Sequence, residues 1–355
     1  MTVQNPQQLT RSPLISAIIV NYRCWDKLRA CLGSLLNTSL IDAKLEIVVV
    51  DNCSNDGRIG AFVEQYPAVS FVLNKGNFGF SNGCNTGANE ANGDYLFFIN
   101  PDTEVPKDAI EQLHSAIQAL PRYSIVATQK ISTSGKYERV ERFFPRWYTI
   151  TGLGKSFHRL LNRRRIADDF AKDKTTVYPE WVSGSVIFIR HSDFDELNGW
   201  DERFWMYCED IDLCNRASIK GGKIALLQNI EITHNHGGSS RINPVTAALT
   251  KSEVYISRHV YFTEYTQGIG RCAIQFLFAI KSLLKVTLIA FLSLFAFKHP
   301  KAKMARLLFF NLIRYYLGVT LNQTWLSPRS RRHKHAPQVK KEPNCEQVIS
   351  TDNKF

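Results

Sequence analysis

None of the eight cysteines pairs as C-x-x-C, which excludes the common zinc pattern and a disulfide framework and suits a reducing cytoplasm. The opening stretch MTVQNPQQLTRSPLISAIIVNY has no basic segment ahead of an apolar run and no small-residue cleavage site. It is expected to be a polar lead, residues 1–13, rather than a signal peptide. The Gly-rich stretch Gly76–Gly87 contains neither G-x-G-x-x-G nor G-K-S/T. A dinucleotide fingerprint and a P-loop are therefore missing, which disfavours an oxidoreductase on a dinucleotide fold. No internal repeat is present, and no uninterrupted apolar run reaches the roughly 18 residues expected of a spanning helix.

Acidic residues are missing from one region altogether. Between Tyr265 and Lys341 there are fourteen Lys or Arg and no Asp or Glu, whereas the whole chain has 44 basic and 32 acidic residues. The rest of the protein is thus close to neutral, and the formal charge of +12 belongs to the C-terminal region. A nucleic-acid enzyme would more often spread basic residues around its site, so no nucleic-acid partner is expected. A basic region that also carries long apolar stretches points to an anionic membrane surface.

What is present begins with a regular alternation. Leu14–Asn21, Leu45–Asp51, Val69–Asn74 and Tyr95–Asn100 read as short buried strands. Helical patterns separate them at Leu28–Leu36, Ile59–Tyr66 and Cys84–Ala91. Strands with no polar face, alternating with helices, imply an α/β fold with a parallel sheet covered on both sides. Ligands of such sheets bind at the carboxyl ends of strands, where Asn21, Asp51 and Asn100–Asp102 fall. Residues 131–174 are less regular and include Arg163–Arg165. Further strands are predicted at Trp181–Arg190 and Ile224–Ile232, with a helix from Asp210 to Lys220 stopped by Gly221 and Gly222.

Local chemistry leaves each candidate open. Asp102, just past a buried strand and stiffened by Pro101, can present a hard oxygen to Mg²⁺ or Mn²⁺; it can equally open a turn. Asp51 can accept hydrogen bonds from a nucleobase or ribose, or simply form an Asx-turn. Glu209 and Asp210 open a helix, where the helix dipole favours carboxylates, and either can act as a general base. Asp212 and Arg216, four apart, make an ordinary ion pair. His234 and His236, beside Gly237, Gly238 and Ser239, can ligate metal or contact phosphate, or serve only as structural residues.

Order and spacing say more. The segments SAIIVNY, EIVVVDNCSNDG, NKGNFGFSNGCNTG, GDYLFFINPDTEV, WVSGSVIFIR, FWMYCEDIDLCNR and HNHGGSS, in that order, resemble family 2 of the inverting glycosyltransferases, on the GT-A fold, in its rhamnosyltransferase-like branch. The resemblance runs through about residues 14–240. It implies a Rossmann-like, mostly parallel central sheet flanked by helices and a nucleotide-diphospho-sugar donor. Asp51 would contact the nucleobase and the loop of Asn77, Gly79, Phe80 and Asn85 would lie along the nucleotide; Asn21, Asn100 and Glu209 complete the nucleotide-sugar set. The D-x-D-type motif stands here as Asn100-Pro101-Asp102, so its first carboxylate is replaced. That leaves Asp102 as a ligand of Mg²⁺ or Mn²⁺, with His234 favoured over His236 beside it. Asp210 matches the catalytic base.

The resemblance points to L-rhamnose transfer from dTDP-rhamnose to a polyprenyl-diphosphate-linked glycan of an O-antigen-type bacterial polysaccharide. A UDP-hexose donor, or a non-catalytic nucleotide-sugar-binding scaffold, are the rival readings. Cys272–Phe297 is apolar but interrupted by Lys281 and Lys285, which share a helical face as in an interfacial helix. Residues 241–321 are therefore read as a helical, basic, membrane-associating extension, peripheral on the cytoplasmic face of the plasma membrane. Residues 322–355 are read as a disordered basic tail.

Overall fold

The structure, a computed structural model, describes residues 12–132, 134, 135, 137, 142–169, 174–235, 243–296 and 299–330. Strands β1 (Leu14–Asn21), β2 (Lys44–Asp51), β3 (Ser70–Leu73) and β4 (Tyr95–Ile99) alternate with helices α1 (Trp25–Leu36), α2 (Ile59–Gln65) and α3 (Phe80–Glu90). The four strands are parallel, side by side in the order β3-β2-β1-β4. Their apolar runs are needed on both faces. Ile15, Ala17 and Ile19 pack with Leu28 and Leu32 of α1, while Ile18 and Val20 pack with Cys84 and Ala88 of α3. The expected mostly parallel α/β sheet is what forms.

The second half of the sheet follows a different course. In order come β5 (Thr103–Glu104), α4 (Ala109–Gln118), β6 (Ile125–Ile131), α5 (Gly152–Leu161), α6 (Arg163–Asp169), β7 (Thr176–Val177) and β8 (Val186–Arg190). They are followed by α7 (His191–Glu196), α8 (Glu209–Ile219) and β9 (Ile224–His234). β8 lies between β4 and β6 and runs antiparallel to both, whereas β9 is parallel to β6. Six of the nine strands thus share one sense, with β5, β7 and β8 against it. The sequence predicts one strand over Trp181–Arg190, but its first half is loop. Gly184 gives its N–H to Asp210 at 3.1 Å rather than to a neighbouring strand. Because β8 is reversed, this loop lies at the carboxyl end of β4, where the Asn100 amide donates to the Ser185 carbonyl at 3.1 Å.

Three long helices complete the chain: α9 (Pro244–Tyr265), α10 (Gly268–Leu292) and α11 (Pro300–Asn322). They are packed on the sheet domain as well as on one another. Ile274 and Phe278 of α10 and Val260 and Phe262 of α9 share a core with Phe204 and Cys208. The Tyr265 hydroxyl donates to Asp212 at 2.6 Å, and Asp212 also pairs with Arg216 at 2.7 Å. Breaking the Asp212–Arg216 pair would cost about 3–5 kcal/mol, and removing the Tyr265 hydroxyl about 1.5–3 kcal/mol. His259 is buried at the centre of the three helices, stacked on Trp325 at 4.5 Å and meeting the Tyr316 hydroxyl at 3.0 Å. Burial lowers its imidazole to about 4, so it is neutral at physiological pH.

The outer side of α10 is different. The stretch Gly268–Phe295 is long and apolar enough to cross a membrane, with mean hydropathy 2.0 and 22% of its most apolar window buried. Lys281 and Lys285 are both exposed on α10, and the Lys281 ammonium donates to the Ile150 carbonyl. The sequence reading starts a tail at 322, whereas Trp325–Ser330 folds back on the protein. Ser327 donates to Glu253 at 3.0 Å and Ser330 to the Glu202 carbonyl at 2.7 Å.

Glu253 on α9 is 2% exposed, and its second carboxylate oxygen has no hydrogen-bond partner among the described residues. Burial pushes its carboxyl up to about 7, opposed by Arg329 and the Ser327 hydroxyl. The folded protein therefore holds this proton more tightly than the unfolded chain, whose glutamates titrate near 4.5. By linkage, stability falls as pH rises from about 4.5 to about 7, by something on the order of 1–3 kcal/mol. Glu253→Gln is expected to flatten this fall, as read from denaturation midpoints at pH 5 and pH 7.5. An unchanged pH profile in the variant would rule out this origin.

Candidate active site

The strand ends build the site from the bottom. Asn21 and Asp51 are register partners at the ends of β1 and β2, so their side chains meet. Asn21 donates to Asp51 at 3.0 Å and accepts from the Cys24 amide at 3.2 Å. Asp51 also accepts from the Ser54 amide at 2.9 Å and the Ser54 hydroxyl at 2.5 Å. Asn21 therefore positions Asp51, and the Asx-turn reading of Asp51 holds geometrically. Burial pushes the Asp51 carboxyl up, while Ser54 and Asn21 hold it down.

The loop before α3 is held by a second segment, residues 200–205. The Phe80 amide donates to the Trp205 carbonyl at 2.8 Å, and the Ser81 hydroxyl to the Phe204 carbonyl at 2.9 Å. The N-terminus of α3 is thereby capped by protein. Gly79 is required here: its φ is +97°, and a Cβ would sit 2.1 Å from the Trp205 oxygen. Its carbonyl accepts from Asn52 at 2.9 Å, and its amide donates to Asn77 at 3.3 Å. Phe80 packs edge-on against Trp200, with ring centroids 5.6 Å apart. Asn85 donates to the Trp200 carbonyl at 2.9 Å and to Glu202 at 3.1 Å, and accepts from the Trp200 amide at 2.9 Å. Its amide is fully used in fixing this segment.

A third group forms where β5 meets β9. Thr103 and His234 are register partners, which places His234 Nε2 3.2 Å from Asp102 Oδ1. Both side chains are about nine-tenths buried. The Lys27 ammonium lies 4.0 Å from the other Asp102 oxygen. Asn100 is half-buried and enters through its backbone, with its carbonyl accepting from Thr103 at 2.7 Å. His236 lies outside the described residues.

Asp210 stands across the Ser183–Ser185 loop from this pair. It is the second residue of α8, which begins immediately after Tyr207 and Cys208, whose φ values are +72° and +65°. Two successive left-handed non-glycine residues store strain, of order 1–3 kcal/mol each, at the entry to the helix. Asp210 accepts from the Gly184 amide at 3.1 Å and from the Ile211 amide at 2.9 Å. Burial pushes both Glu209 and Asp210 up; the backbone amides and Lys130 oppose it at Asp210, whereas the Asp210 charge adds to it at Glu209. Glu209 Oε2 has no hydrogen-bond partner among the described residues. Burial thus raises the proton affinity of both carboxyls, and Asp210 is the one of the two held by the Gly184 amide.

Comparison with known proteins agrees with this fold. The glycosyl transferase family 2 model matches residues 16–177, and the model of the N-terminal domain of galactosyltransferase matches 170–236. The chain thus carries a family 2 glycosyltransferase domain. The rhamnosyltransferase WbbL of Escherichia coli K12 is 26% identical over 230 residues, 62% of this chain and 83% of that protein. The N-acetylglucosaminyl-diphospho-decaprenol L-rhamnosyltransferase of Mycobacterium tuberculosis is 25% identical over 255 residues, 66% of this chain and 80% of that protein. These similarities place it in the rhamnosyltransferase-like branch. The crystal structure of S. aureus TarS 1-349 shares the fold, with a TM-score of 0.50 over 87% of this chain and 92% of that one at 14% identity.

Two residues of this glycosyltransferase escape the sequence reading. Lys130 is buried at the end of β6 and donates to the Ser185 hydroxyl at 2.9 Å, close enough to lower the Asp210 carboxyl. A lysine in the apolar run IVATQKI was the available signal. Glu202, which accepts from both Asn82 and Asn85 at 3.1 Å, had none, because its partners lie far away in sequence. Gly79→Ala tests the joint they support. It should destabilise the protein by about 2 kcal/mol or more and weaken donor binding at least tenfold by calorimetry; wild-type stability and affinity would show that the joint tolerates a side chain.

Proposed function

We propose that this glycosyltransferase moves L-rhamnose from dTDP-rhamnose to a hydroxyl of a polyprenyl-diphosphate-linked glycan, with inversion at the anomeric carbon, in bacterial surface-polysaccharide synthesis. The names of its relatives support the donor and acceptor classes. The observation that carries the mechanism is the hydrogen bond from the Gly184 N–H, at the carboxyl end of β4, to Asp210 at 3.1 Å. A carboxylate oriented in this way suits one in-line displacement. The acceptor hydroxyl oxygen bonds to the anomeric carbon, the bond from that carbon to the diphosphate breaks, and Asp210 takes the hydroxyl proton. The nucleoside diphosphate leaves with its charge. Asp51, at the end of β2, is assigned the contact with the nucleobase. Asn21, Gly79 and Asn85 keep the donor loop in shape from within, and Phe80 and Asn77 line it.

Among the described residues, no group of three or more His, Cys, Asp or Glu could hold a metal. Mg²⁺ or Mn²⁺ needs only one or two protein ligands when phosphate oxygens and water complete the shell. Asp102 and His234 fit that requirement, and the bound ion would neutralise charge on the leaving diphosphate. Lys27 adds positive charge beside Asp102 from the protein itself. The apolar face of α10 supports association with a membrane, and the enzyme is assigned to the cytoplasmic face, within reach of a lipid-linked acceptor.

Asp210→Asn should fold and bind donor while losing about 10²–10⁴-fold in turnover. Because burial raises the Asp210 carboxyl and the base must be ionised, kcat/KM should fall on the acid side at a pH above the ordinary aspartate range. Near-normal turnover in the variant would remove Asp210 from the base role. A panel of nucleotide-sugars with a lipid-linked acceptor tests the donor: turnover with dTDP-rhamnose is expected, and turnover only with a UDP-hexose would replace it.

A further inference from the structure

Helix α5 lies outside the chemistry and outside the C-terminal extension, yet its surface is unusual. Leu153, Phe157, Leu160 and Leu161 are 86%, 57%, 69% and 65% exposed. Their spacing of four, three and one places them in a single stripe along the helix. The opposite side anchors α5 to the protein: His158 is buried, its ring edge-on to Phe143 at 4.6 Å and its Nδ1 2.9 Å from the Tyr148 hydroxyl. The outward stripe is therefore a fixed feature of the fold rather than a consequence of a loose helix. Trp147, one turn earlier, is 68% exposed.

The charge beside this stripe has one sign. From Arg142 to Ala167 there are seven Lys or Arg and no Asp or Glu. Arg159, Arg163 and Arg164 are exposed, and Arg159 and Arg163 line a groove with Ser156, Leu160 and Ile166. The segment just ahead of α5 also touches α10. Ile150, two residues before α5, shares a core with Ile274 and Phe278 and receives the Lys281 ammonium on its carbonyl. An apolar stripe edged by cations is complementary to an anionic bilayer, with side chains among the acyl chains and guanidinium groups at the phosphates.

We propose that α5 is a second membrane-contacting element, lying in the interface of an anionic bilayer beside α10, so that the catalytic domain itself is seated on the lipid. This rests on the membrane-facing reading of α10, and one experiment separates the two. In the full chain with Cys272→Ser and Cys345→Ser, an environment-sensitive fluorophore is attached at Phe157→Cys or, in a parallel protein, at Phe276→Cys on α10. Phosphatidylcholine vesicles are then added, with or without phosphatidylglycerol. The Phe157 probe should shift to the blue and be quenched by brominated lipid when phosphatidylglycerol is present. A response from the α10 probe alone would overturn the role of α5 and leave the membrane reading intact, whereas silence from both would overturn both. An equal Phe157 response to the two vesicle types would overturn the anionic requirement. In the unlabelled chain, Arg163→Gln with Arg164→Gln should weaken binding to phosphatidylglycerol vesicles about thirtyfold with an unchanged circular dichroism spectrum. Unchanged binding would overturn the part assigned to charge.

Discussion

The hydrogen bond from the Phe80 amide to the Trp205 carbonyl joins the two halves of the site. On one side is the helix α3, whose first turn carries the glycine and asparagine loop over the ends of β1 and β2. On the other is the segment that leads into α8 and Asp210. The approach is so close that a Cβ at Gly79 would overlap the carbonyl. Asn82, Asn85 and Glu202 then fix the rest of the segment by side-chain amides and a carboxylate. From Trp205 the chain has three residues to reach the start of α8, and it does so by taking Tyr207 and Cys208 into left-handed conformations. The position of Asp210 is thus set from the donor loop through a short, strained connection.

Much of the fold could be read directly. β1 occupies the residues assigned to it from apolar pattern alone, and the parallel arrangement followed from strands with no polar face. Periodicity could not reveal the reversal of β8, because a buried antiparallel strand and a buried parallel one have the same composition. The site was legible in its members more than in their partners. Asp51, Asp102 and Asp210 each had a local explanation as turn or cap residues; Asp51 and Asp210 do accept from nearby backbone amides, whereas the Asp102 carboxylate meets His234. What local sequence could not supply was the pairing of Asp102 with His234, 132 positions apart, which depends on the β5–β9 register. Asn21 and Asn85 illustrate the converse. They stand at the right strand end and in the right loop, yet their amides are directed inward, because buried polar groups beside Asp51 and Trp200 must be satisfied.

The two acidic corners of the site differ in how charge is handled. At Asp102 a lysine and an imidazole stand close to the carboxylate, an environment made for negative charge. At Glu209 and Asp210 burial works against ionisation, and only backbone amides and Lys130 oppose it. A carboxylate in the first setting has a lysine and an imidazole beside it and suits a partner of opposite sign. One in the second has its affinity for protons raised, as a base requires. The same residue type is thus assigned to different work by its surroundings, which motif matching alone does not explain.

The division between catalytic domain and helical extension is weaker physically than it looks in the sequence. Charge and hydropathy change abruptly after Tyr265, but the contacts do not. Ser257 of α9 donates to the Met206 carbonyl at 2.7 Å, Ser330 donates to the Glu202 carbonyl, and Arg329 stacks over Trp205 at 4.6 Å. All three act on the segment between the donor loop and Asp210. Tyr265 reaches Asp212, two residues beyond Asp210, on the same helix. The extension therefore packs on the segment that leads into Asp210. A boundary drawn at residue 241 would cut through the packing that holds residues 202–212 in place, so the apolar helices belong to the construction of the site and not only to its location.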